Sequence, residues 1–129
     1  MWSEQRLRDV DGAITLPQPP RSGVVLSLRR RRRTPAVVGT SRHVVQGLDL
    51  RDERWDDRRR TLAAKAVRLD ERPYAVTIAL PPGFAPRRAA SDPDAEVTVA
   101  PTGGPGVRAA RLLLAAPPGE EVSWEVEFS

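Results

Sequence analysis

Two stretches of this sequence carry side chains able to hold a ligand. The first is Arg29, Arg30, Arg31, Arg32 and Arg33, five adjacent guanidinium groups that suit phosphates or another anionic surface, with an affinity that falls as salt rises. The second is Trp55, set among Asp52, Arg54 and Asp56. An indole face offers an apolar plate to the C–H side of a sugar ring, while carboxylates and a guanidinium fix its hydroxyls. His43 is the single imidazole, a hydrogen-bond partner for a ligand or a neighbouring domain, or a group that titrates near neutrality.

Each has a plainer reading. The arginine run suits a solvated hairpin tip between a strand ending at Leu28 and one starting near Ala36, with charge guarding the sheet edge. No aromatic residue interrupts it, so it lacks a stacking platform for single-stranded nucleic acid. The acidic cluster Asp49, Asp52, Glu53, Asp56 and Asp57 offers it internal partners. His43 fits a strand end bonded to neighbouring backbone, and Trp124 and Tyr74 fit the core, because each lies on the apolar side of an alternating run. The acidic pairs Asp56-Asp57, Asp92/Asp94 and Glu120-Glu121 read as turns, since neighbouring carboxylates in a turn point apart and cannot face each other across a pocket. Gly103-Gly104-Pro105-Gly106 lacks the Lys-Ser/Thr of a phosphate loop, and Pro105 removes an amide.

Composition narrows the chemistry further. The chain has 129 residues and no cysteine, which excludes a thiol nucleophile, a cysteine zinc site and a disulfide framework. One histidine leaves little for a Ser-His-Asp machine, and no metal or cofactor is implied. The expectation is a single soluble domain without catalytic residues of its own; at this length roughly two-thirds of the unfolded surface can be buried without staples. There are 21 Lys and Arg against 17 Asp and Glu, and Lys65 is the single lysine. The pI of about 10.8 therefore reflects arginine's very high pKa more than a large positive field. No window reaches the roughly 18 apolar residues of a membrane span, and Met1-Trp2-Ser3-Glu4 has neither a basic n-region nor an apolar h-region.

The elements that would position these groups are strands. Tyr74, Val76, Ile78 and Leu80 alternate with Ala75, Thr77 and Ala79, and Val122, Trp124, Val126 and Phe128 alternate with Ser123, Glu125 and Glu127. Period two puts the large apolar groups on one face. Shorter runs read alike: Ala13–Leu16, Gly23–Leu28, Ala36–Val38, His43–Leu50, Thr61–Leu69, Glu96–Ala100 and Val107–Ala115, each bounded by Pro, Gly or Asp turn chemistry. Arg58–Leu69 and Val107–Ala116 also contain good helix formers, but a turn at Asp56-Asp57 and flanking Gly/Pro stops favour strands, although Leu112-Leu113-Leu114 breaks the alternation. Pro86–Asp94 reads as a long surface loop. The sum is an all-β antiparallel sandwich of seven to nine short strands.

Several of these residues form a pattern. Val38-Gly39-Thr40-Ser41-Arg42-His43-Val44-Val45-Gln46-Gly47, followed by Asp49-Leu50, Trp55-Asp56, Thr61-Leu62, Pro73-Tyr74 and the run Val76–Leu80, resembles the C-terminal β-sandwich of bacterial glycoside hydrolases of the α-galactosidase (melibiase) kind. Upstream, Leu16-Pro17, Pro20-Arg21-Ser22-Gly23 and Val25-Leu26-Ser27-Leu28 fit the same template. The likeness covers residues 12 to 82 and the closing strand. It implies a non-catalytic accessory domain whose partner is the catalytic (β/α)8 barrel of a parent chain, which carries the catalytic carboxylates. An independent carbohydrate-binding module, using Trp55, Asp52, Asp56, Arg54 and His43, is the alternative; an anion-binding module using Arg29–Arg33 is the second. The arginine run departs from that family's hairpin and leaves room for a separate surface role.

Overall fold

The structure is a computed structural model that describes residues 11–24, 28–41, 49–67, 73–92, 96–102, 108–115, 119 and 121–129. Among these residues there are eight strands and no helix: β1 (Ala36–Thr40), β2 (Leu50–Asp56), β3 (Thr61–Val67), β4 (Tyr74–Ala79), β5 (Pro86–Asp92), β6 (Glu96–Thr102), β7 (Ala109–Ala115) and β8 (Glu121–Phe128). They form two antiparallel four-stranded sheets, β1-β4-β7-β6 and β2-β3-β8-β5. The chain is an all-β sandwich, as its periodicity predicts.

Alternation builds the core. In β8 the side chains of Val122, Trp124, Val126 and Phe128 are buried, and Leu62, Ala64 and Ala66 of β3 join them from the same sheet. Tyr74, Val76 and Ile78 of β4 and Ala110, Leu112 and Leu114 of β7 face them from the other sheet. The triple leucine obeys the same rule: Leu112 and Leu114 are fully buried and Leu113 points outward, 38% exposed. Thr61–Val67 pairs with β2 on one side and β8 on the other, so two ladders override the helix propensity of its alanines.

Four expectations need correction. Residues 86–92, expected as a loop, are β5, hydrogen-bonded to β8 at the sheet edge. An edge strand with one half-exposed face carries Arg and Asp instead of an apolar period, and its leading Pro86 loses nothing where no partner strand waits. Pro101 lies on β6, an edge of the other sheet, for the same reason. Ala13–Leu16 forms no strand, and Ile14 and Leu16 are only half-buried, because four residues without a pairing partner do not make a ladder. Leu28 lies outside any strand: Val24 and Leu28 are 55% and 81% exposed, and Arg29 to Arg33 form an irregular segment. Residues 25–27 of the Gly23–Leu28 run, and His43 to Leu48 of the His43–Leu50 run, lie outside the described residues. Leu50 instead opens β2, a polar strand that the hydrophobic pattern misses.

The sheets meet at their edges through specific contacts. β1 abuts β2, where Val37 N–H donates to Glu53 Oε1 at 3.0 Å, and the chain passes directly from β5 to β6 at the opposite edge. Behind β1 the side chain of Asp49 is fully buried. Thr40 Oγ1 donates to its Oδ2 at 2.6 Å, Val67 N–H donates to its carbonyl at 3.0 Å, and the Tyr74 hydroxyl approaches the same carbonyl at 3.4 Å. Asp49 Oδ1 has no hydrogen-bond partner.

Candidate functional site

One end of the sandwich gathers segments far apart in sequence: the β2–β3 hairpin, the β4–β5 loop, the start of β7, the end of β8 and the arginine run before β1. The hairpin is closed by Asp56, whose Oδ1 accepts the N–H groups of Arg58 and Arg59, both at 3.0 Å. This is the Asx geometry that makes Asp a turn residue. Arg60 completes the turn in the left-handed region at φ 50°. In the β4–β5 loop, Pro81-Pro82-Gly83-Phe84 forms a turn with Phe84 N–H donating to the Pro81 carbonyl at 3.3 Å and Gly83 at φ 86°. Proline at the second position and glycine at the third suit a type II turn.

Arginine side chains clamp that loop. Arg60 Nη2 donates to the Gly83 carbonyl at 3.1 Å and to the Ser129 carbonyl at 2.8 Å, while its guanidinium carbon lies 4.4 Å from the centre of the Phe84 ring. Arg108 Nη2 donates to the Phe84 carbonyl at 3.3 Å. Beneath them, Trp55, Phe84 and Phe128 form an aromatic cluster with centroid separations of 5.6, 6.0 and 6.4 Å. Trp55 Nε1–H donates to Asp57 Oδ1 at 3.2 Å.

Register decides what Trp55 can do. Arg54 and Asp56 pair with Ala63 and Thr61, whereas Trp55 pairs with Leu62, so the indole turns inward against the core while its two charged neighbours face out. Asp52 sits at a bulge in β2 with φ 55°, and its Oδ2 lies 3.6 Å from Lys65 Nζ. Trp55, Arg54, Asp56 and Asp52 are thus neighbours in sequence but split between the two faces of β2. His43 and Trp2 lie outside the described residues.

Arg29, Arg30, Arg31, Arg32 and Arg33 are all exposed. Arg31, Arg32 and Arg33 line an open cleft of about 450 Å³ together with Pro81 and Pro82. Arg32 Nη1 lies 3.9 Å from Glu53 Oε1. Arg60, Phe84 and Arg108 acquire their roles from register and carry no cue in the sequence, whereas Glu53 belongs to the acidic cluster expected to partner the arginine run, and the Pro-Pro-Gly turn is a second local signal.

The outer faces of the two sheets differ in chemistry. On β2-β3-β8-β5 the cross-strand rows read Arg51, Lys65, Ser123, Asp92; Arg54, Ala63, Glu125, Ala90; and Asp56, Thr61, Glu127, Arg88. On β1-β4-β7-β6 they read Ala36, Ala79, Ala109, Thr102 and Gly39, Thr77, Arg111, Ala100, with Ala75, Leu113 and Thr98 completing the third.

Among the described residues no group of His, Asp and Glu is placed to hold a metal ion, and no helix is long and apolar enough to cross a membrane. Comparison with family models, with curated proteins and with solved structures finds no match to the chain.

Proposed function

We propose that this β-sandwich is a non-catalytic accessory domain of a carbohydrate-active enzyme of the glycoside hydrolase kind, packed against the catalytic barrel of its parent chain in a structural or substrate-positioning role. The observation that carries the reading is the contrast between its two outer faces. A solvated sheet face normally bears charge, as β2-β3-β8-β5 does. The face of β1-β4-β7-β6 bears chiefly alanine, glycine and threonine, with Leu113 and Arg111 among them, the kind of flat surface a second layer of structure covers. The turn and strand residues that resemble melibiase-type C-terminal domains supply the identity of that second layer.

An independent sugar-binding module draws less support from the geometry. It wants aromatic rings side by side at the surface, and Trp55 and Phe84 meet edge to face at 81°, half-buried against the core.

The test is association in trans. The catalytic barrel that this reading assigns to the parent chain and the present chain are produced as separate polypeptides and run together by size-exclusion chromatography. The expected result is co-elution, lost in a Leu113→Glu/Thr98→Glu variant whose own melting temperature is unchanged. An upstream sequence that encodes no barrel, or co-elution indifferent to the variant, overturns the reading.

A further inference from the structure

We propose that the cleft between Arg31–Arg33 and Pro81-Pro82 binds a linear polyanion whose charges are carboxylates, a uronic-acid polysaccharide, and that it does so independently of any barrel docked on the opposite chemistry of the β1-β4-β7-β6 face. Three consecutive exposed arginines form one wall of the cleft. Guanidinium is planar and presents paired N–H donors in the geometry a carboxylate accepts, so successive arginines can engage successive charges along a chain.

The Pro81-Pro82 side of the lining is already held in place. Pro81 and Pro82 have fixed φ, the turn they open is closed by the Phe84 N–H, and Arg60 and Arg108 tie the carbonyls of Gly83 and Phe84 from two sides. A wall ordered before the ligand arrives costs little conformational entropy on binding.

A carboxylate of this chain already stands beside one of the arginines. Glu53 Oε1 stands 3.9 Å from Arg32 Nη1, too far for a hydrogen bond, and the Arg32 side chain is 64% exposed while that of Glu53 is 22% exposed. The carboxylate is held back by its bond from Val37 N–H, so it attracts Arg32 without saturating it. An incoming carboxylate can approach Arg32 closely where Glu53 cannot.

The same geometry disfavours nucleic acid. Single strands bind through rings that stack on bases, and the rings at this end are spent on one another: Trp55 and Phe128 pack with Phe84, and Arg60 lies over the Phe84 ring.

The experiment measures fluorescence anisotropy of a labelled oligogalacturonate, with neutral galactan and a short DNA duplex as competitors at matched concentrations of sugar or charge. The expected result is binding at 50 mM salt that weakens about twentyfold by 200 mM, as three neutralised charges on a single chain require. The Arg31→Ser/Arg32→Ser/Arg33→Ser variant, altered only in an exposed irregular segment, is expected to lose affinity by on the order of tenfold with its melting temperature unchanged. Glu53→Gln keeps an acceptor for Val37 N–H but removes the competing charge, and is expected to tighten binding about twofold. Arg111→Ser, on the other sheet, is expected to bind as the parent chain does. Affinity unchanged in both the triple variant and Glu53→Gln overturns the proposal, as does competition by neutral galactan or by the duplex that equals or exceeds that of unlabelled oligogalacturonate. Failure here leaves the barrel-docking reading standing, because that reading is tested at Leu113 and Thr98.

Discussion

Arg60 joins three segments from a backbone conformation that L-residues avoid. Its φ of 50° costs roughly 1 kcal/mol relative to glycine, and its side chain offsets this with two charge-assisted bonds and a cation–π contact. Arg60→Ala keeps the unfavourable backbone and loses the contacts, so urea denaturation is expected to show a loss of about 2 to 3 kcal/mol. Arg60→Gly loses the same contacts but relieves the backbone, and is expected to be less destabilised by about 1 kcal/mol. Equal losses would show that the backbone term is absent. Asp49 poses the opposite problem: a buried carboxylate held by Thr40 through one oxygen, with the other unpartnered. Thr40→Val removes that hydroxyl at nearly constant volume, and the expected cost is about 3 kcal/mol in the same assay. Neither role is visible in the sequence, where Arg60 closes an Arg-Arg-Arg triplet and Asp49 belongs to a run of acids that looks solvent-exposed.

Among the strands, legibility followed burial. β4 and β8 lie inside their sheets, so large residues must alternate, and period two reveals them. β2 and β5 are edges of the charged sheet; half of each faces water, so the hydrophobic signal disappears and the strand shows only in its pairing with β3 or β8. β7 lies between these cases, because Leu112-Leu113-Leu114 hides its alternation behind one outward leucine. Leu112→Ala is expected to cost about 2 to 5 kcal/mol, while Leu113→Ala is expected to stay within about 0.5 kcal/mol. Similar losses at both positions would contradict the register of β7 with β4. The candidate site was legible only as ingredients. Arginine run, tryptophan and acidic turn were all evident, but a two-residue spacing decides which face each takes, and the inward turn of Trp55 follows from its pairing with Leu62.

For the whole molecule, the sheet order forces most contacts to be non-local. Five of the seven connections between consecutive strands leave one sheet for the other; only β2–β3 and β6–β7 are hairpins within a sheet. Loop closure must therefore precede most of the burial that rewards it. Refolding followed by tryptophan fluorescence, for which buried Trp124 is the reporter, is expected on a timescale of roughly milliseconds to seconds. A microsecond phase carrying the full amplitude would contradict this topology.

The bond from Val37 N–H to Glu53 has a bearing on how the molecule behaves in a crowd of its own copies. An open sheet edge is a template on which another chain can add a strand, and β1 is such an edge. A carboxylate from the neighbouring sheet already occupies the outward donor of Val37, and the arginines that precede β1 surround the approach with positive charge. The β1 edge is thereby made unwelcoming to amyloid-like stacking by the same bond that ties β1 to β2.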